Sequence, residues 1–122
     1  MNEICTTIEQ SQELLSLGID PKTADMYWEQ IDQAFIPGVI FMEGLGYEYL
    51  SWSLPALIKL MTPPGDKNDE YYISTEDHTD YHTVTYMNCW TGSIGAHMEH
   101  SNKSPLDAAF KMTCWLKKNN KI

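Results

Sequence analysis

The chain has 122 residues, 43% of them hydrophobic and 20% charged, which suits one globular domain with a single core and leaves too little apolar sequence for a membrane span. Seventeen acids face eight lysines and no arginine, a formal charge of −9. That balance argues against nucleic-acid binding, which rests on cation–phosphate contacts and commonly on arginine.

The start, Met1-Asn2-Glu3-Ile4-Cys5, lacks the basic and apolar regions of a secretory signal, so a cytoplasmic protein is expected. Cys5, Cys89 and Cys114 are odd in number and form no C-x-x-C pair. Neither a disulfide framework nor a cysteine zinc knuckle follows, and free thiols, two of them in the core, are expected.

Thr7-Ile8-Glu9-Gln10 has the form of a capping box, and Leu14, Leu15 and Leu17 precede Gly18, so a first helix is expected at about Ile8–Leu17. Asp20-Pro21 repeats the cap-plus-proline signal for a short turn at Pro21–Ala24. Residues 29–50 read as a mostly irregular loop with at most one short strand, because acids, Pro37, Gly38, Gly44 and Gly46 interrupt the apolar pairs. Ser53 can cap a second helix, Leu54–Met61, whose Leu54, Leu57, Ile58 and Met61 share one face until Thr62-Pro63-Pro64-Gly65 stops it.

The period then changes from helical to two. Glu70–Thr75 and Tyr81–Trp90 predict a hairpin turning near His78, with Ile73 opposite Val84 and Tyr71 opposite Tyr86. A second turn over Thr91–Gly95 brings Ala96–Ser101 back as a third strand, with Ala96 and Met98 on the face of Val84. Ser104-Pro105-Leu106-Asp107 gives cap, first-turn proline and a carboxylate, opening a final helix with a stripe through Leu106, Ala109, Phe110, Thr113, Cys114 and Leu116. The expectation is one α+β domain over residues 1–122, a three-stranded antiparallel meander packed by two or three helices as a two-layer sandwich.

The blocks Ser11-Gln12-Glu13-Leu14-Leu15-Ser16-Leu17-Gly18-Ile19, Thr23-Ala24-Asp25-Met26-Tyr27, Ser51-Trp52-Ser53-Leu54-Pro55-Ala56-Leu57 and Ser104-Pro105-Leu106-Asp107-Ala108-Ala109-Phe110, with Trp115-Leu116, carry a resemblance. In their order and spacing the chain resembles small uncharacterised proteins carried by phages and prophages of gut anaerobes. The resemblance skips residues 29–50, rests on capping and packing signals, and implies a mobile-element origin and no activity.

For chemistry, all four histidines fall within 23 residues, beside Asp77, Asp80 and Glu99, and imidazole with carboxylate is what zinc and iron take as ligands. A metal set of His78, Asp80, His82 and His97 would support a small metal-dependent hydrolase. Its spacing matches neither H-E-x-x-H nor H-x-x-E-H, and the expected register puts His97 on the face away from Val84, so no metal is expected. Thr91-Gly92-Ser93-Ile94-Gly95 is a turn rather than a nucleophile elbow, and Gly44-Leu45-Gly46 is a lone G-x-G; no catalytic residue and no cofactor is assigned.

Aromatics are the stronger signal, because tyrosine and tryptophan dominate the anchors of binding surfaces. Tyr72, Tyr81 and Met87 mark an outer sheet face for a partner or a second copy, and Trp28, Tyr47 and Trp52 mark a pocket for a small ligand. Residues 103–122 hold five lysines and one acid, and residues 1–102 hold sixteen acids and three lysines. The preferred expectation is a non-enzymatic protein-interaction module whose acidic surface takes a basic protein partner or itself; the alternatives are the hydrolase and the small-ligand binder.

Overall fold

A computed structural model describes the backbone of residues 4–40, 47–61, 71–88 and 92–122, and the side chains of these except 71, 72, 87, 88 and 92–96. Three helices and two three-stranded antiparallel sheets make a small α+β fold. The expected helix stop at 62–65, the Gly44-Leu45-Gly46 loop, Cys89 and Thr91 lie outside the described residues.

Helix α1 (Ile8–Ser16) starts as its residues dictate. Thr7 Oγ1 accepts the Gln10 N–H at 3.1 Å while Gln10 Oε1 accepts the Thr7 N–H at 2.9 Å, so two otherwise orphaned donors are satisfied reciprocally. Gly18 follows the helix at φ 94°, a conformation that costs a residue without Cβ little. A 3-10 turn at Pro21–Thr23 is capped by Asp20, and helix α2 (Leu54–Met61) by Ser53, whose Oγ accepts the Ala56 N–H at 3.3 Å. Ser53 is itself held by Asp25, which accepts its N–H at 2.8 Å and its hydroxyl.

The first sheet is β1 (Met26–Ile31), β2 (Ala34–Val39) and β3 (Tyr49–Ser51), in the order β2-β1-β3. It corrects the expected irregular loop over 29–50. Ile31 pairs with Ala34 across a two-residue turn in which Asp32 takes φ 56°, a left-handed conformation that aspartate tolerates better than most residues. Gln33 stands where a hairpin usually carries glycine, and Pro37 and Gly38 lie inside β2 rather than in a turn, so the usual punctuation is absent where the chain reverses and present where it runs straight.

The second sheet is the expected meander: β4 (Tyr71–Asp77), β5 (His82–Asn88) and β6 (Gly92–Ser101), in that order. Its β4–β5 register differs by two residues from the expectation, with Ile73 opposite Tyr86 and Thr75 opposite Val84. A slip of two preserves which face each residue occupies, so Val84 and Tyr86 still enter the core. In β6 the faces change. Asn88 pairs with Gly92 and Tyr86 with His97, so two steps along β5 are matched by five along β6. An odd excess flips every later residue, which puts His97 and Glu99 on the face of Tyr86 and Val84 and leaves Met98 exposed on the other.

Helix α3 (Pro105–Lys118) packs between the second sheet and α2. Leu106, Ala108, Ala109, Phe110, Met112, Cys114 and Leu116 from α3 meet Leu57 and Met61 from α2, Val84 and Tyr86 from β5, and Leu14 from α1 in one core. Burying a leucine side chain there stabilises the fold by about 1.5–3 kcal/mol. The segment before α1 is tied to the first sheet through Thr6. Its N–H donates to Trp52 O at 2.9 Å, its Oγ1 accepts the Trp52 N–H at 3.0 Å, and its carbonyl accepts from Ser51 Oγ at 2.6 Å and Trp28 Nε1 at 2.8 Å.

Candidate functional site

The β1–β2 hairpin is where the chain leaves large apolar side chains uncovered. Phe35 is 41% exposed, Ile31 and Ile36 47% each, and Val39 63%. Strand alternation puts Phe35 and Val39 on the side of Trp28, and Ile31 and Ile36 on the side of Tyr27, so both sides of the hairpin are apolar and open. Phe35 is fixed edge-on against Tyr49, with ring centroids 5.4 Å apart, so it is a positioned aromatic rather than a loose one. Exposed acids, Glu29 and Asp32 on the hairpin and Glu48 before β3, border these residues.

The rim of the hairpin is defined by one missing donor. Ile40 N–H donates to Asp25 O at 2.9 Å, so by the antiparallel alternation residues 34, 36 and 38 bond toward β1 while 35, 37 and 39 aim their backbone groups away from it. β2 is an edge strand, and Pro37 sits in the middle of its outward row without an N–H. A strand added at this edge would find a gap there.

The residues expected to form an aromatic pocket are not gathered into one. Trp28 donates to Thr6 O; Trp52 is fully buried in the core with its Nε1 donating to Thr23 Oγ1 at 3.0 Å; Tyr47 packs on Tyr27, centroids 4.4 Å apart, on the other side of the sheet from Trp28. Tyr72 and Met87 are direct register partners, as an outer-face pair requires, and their side chains lie outside the described residues. Tyr81 belongs to the β4–β5 turn, where it stacks on His78 at 4.3 Å and His78 N–H donates to Tyr81 O at 2.8 Å.

Nor are the candidate metal ligands brought together. His82 Nδ1 lies 2.8 Å from Asp77 Oδ1 at the base of the turn, His78 lies 3.5 Å from Glu76, and Asp80 is exposed in the turn. His97 is hydrogen-bonded to Glu99 and stacked flat on Trp115 at 4.0 Å. His97 pairs with Tyr86, four residues along β5 from His82, a separation of roughly 13 Å. Among the described residues no group of three or more His, Cys, Asp and Glu side chains could hold a metal ion.

Comparison of the chain with protein-family models, curated proteins and solved structures finds no match.

The thiol of Cys114 offers no nucleophile, because burial, with Glu13 nearby, pushes its pKa up to about 12 and keeps it protonated. The lysine-rich end is partly used within the fold, with Lys118 3.9 Å from Glu13 and Lys111 3.7 Å from Asp107. Sequence reasoning missed the hairpin surface because Phe35, Ile36 and Val39 were grouped with a loop. Pairing Ile31 with Ala34 was the signal that would have sorted them into two faces.

Proposed function

We propose that this chain is a non-enzymatic, cytoplasmic protein-interaction module of phage or prophage origin that holds a basic protein partner on its β1–β2 hairpin. The observation that carries the reading is the exposure of Phe35 and Val39 on one face and of Ile31 and Ile36 on the other face of one two-stranded arm, since large apolar side chains left exposed together mark interaction surfaces. Acids at Glu29, Asp32 and Glu48, in a chain of charge −9 without arginine, favour a partner of opposite charge and quicken its approach. The missing donor at Pro37 favours side-chain docking over strand addition.

The test is capture from a cell lysate at low and high salt, followed by binding measurements with the purified partner and Phe35→Ser combined with Ile36→Ser. A basic partner whose affinity falls tenfold or more in the double variant, with the melting temperature held, is expected. Recovery of no partner at low salt, or full binding by the double variant, overturns the proposal. A concentration-dependent dimer abolished by the same substitutions would replace the basic partner with a second copy.

A further inference from the structure

Away from the hairpin, a concavity of about 610 Å³ lies between the segment 22–25 and helix α2, lined by Lys22, Thr23, Ala24, Asp25, Pro55, Ala56, Lys59 and Leu60. Its volume falls within the range of small-molecule sites. Residues 1–102 contain only three lysines, Lys22, Lys59 and Lys67, and two of them stand at this opening. Neither the Lys22 nor the Lys59 ammonium is engaged in an ion pair or hydrogen bond among the described residues, in contrast to Lys111 and Lys118.

The other polar side chains of the lining are already occupied. Both Asp25 carboxylate oxygens are taken by Ser53, and the Thr23 hydroxyl donates to Asp20 O at 2.6 Å while accepting from Trp52 Nε1 at 3.0 Å. What remains is an apolar floor of Ala24, Pro55, Ala56 and Leu60 with two unpaired cations at its rim. We infer that this cleft binds an amphipathic monoanion, a carboxylate whose apolar body lies on Ala56 and Leu60 and whose head group is met by Lys22 and Lys59.

The single negative charge follows from Asp25, which would repel a doubly charged head group while two lysines still outweigh it. The apolar body follows from the floor, where the side chains of Ala24, Pro55, Ala56 and Leu60 carry no donor or acceptor for a polar one.

The experiment titrates the full chain with sodium octanoate, and in separate arms with octylammonium and with inorganic phosphate, reading amide and indole shifts by NMR. Octanoate is expected to move the Thr23, Ala24, Ala56 and Leu60 amides and the Trp52 indole N–H to saturation. Lys22→Gln with Lys59→Gln, both at exposed positions, should weaken that binding about tenfold, and each single substitution by less. Octylammonium and phosphate should leave the same signals unmoved. Absence of a saturable octanoate shift, an equal response to octylammonium, saturation by phosphate, or unchanged affinity in the double variant overturns the assignment.

Discussion

Gln10 and Asp107, 97 residues apart in sequence, are joined by a 3.0 Å hydrogen bond from Gln10 Nε2 to Asp107 Oδ1. Each also belongs to the first turn of its own helix: Gln10 closes the α1 capping box, and the Asp107 N–H is received by the α3 cap, Ser104, at 3.0 Å. Two local start signals are thus wired into one tertiary contact, with Ser101 Oγ donating to the second carboxylate oxygen at 2.7 Å. A second, exposed contact between the two helices is the approach of Lys118 Nζ to Glu13 Oε1, 3.9 Å apart.

Asp107 is buried, and its removal strands Gln10 and Ser101. Asp107→Ala is expected to lower stability by about 2–3 kcal/mol, and Asp107→Asn by less because one acceptor oxygen survives. Urea denaturation of both variants checks the order; equal stability of Asp107→Ala and the parent would refute the role of this junction.

Thr6 is the corresponding junction for the first sheet. Thr6→Val keeps the shape but removes the acceptor for the buried Trp52 N–H and the partner of the Ser11 and Ser51 hydroxyls. A loss of about 2 kcal/mol is expected, with faster amide exchange at Trp52 as the local readout.

A Cβ on Gly38 would fall 2.8 Å from Tyr27 Cζ, because the Tyr27 ring lies across the glycine. Gly38→Ala should displace that ring and disturb its packing on Tyr47, at a cost of about 1 kcal/mol. Shifts in the Tyr27 and Tyr47 ring resonances, with the second sheet unchanged, are the expected signature.

The buried thiol makes stability depend on alkaline pH. Burial first, and Glu13 second, raise the Cys114 pKa from the ordinary 9.0 to about 12, so the unfolded chain releases this proton before the folded one does. Its contribution is therefore complete below pH 9 and is lost progressively as the pH rises from there toward 12. Cys114→Ala should lose less stability than the parent between pH 8.5 and about 10.5 in paired urea titrations. In the native chain, Cys114 should also resist iodoacetamide at pH 8.

The helices were legible because their signals are local. Thr7 with Gln10, and Ser104 with Pro105 and Asp107, specify their starts within four residues. The meander was legible in its faces but not in its last strand, because nothing in the residues around Tyr86 shows how many positions of β6 are left over there. The first sheet was hidden by Asp32-Gln33, a turn without glycine, and by Pro37-Gly38 within a strand. Of the candidate site, acidity was readable from composition. The exposed hairpin was not, because exposure depends on which strands find a partner.

Pro37 has a consequence for assembly as well as for recognition. An apolar arm with a complete outward row of donors could template another arm, and that one the next, without limit. One imino acid at the centre of the row removes the donor on which such growth would depend. Edge-to-edge addition along β2 therefore loses one hydrogen bond with every copy, which disfavours growth into fibres from this strand.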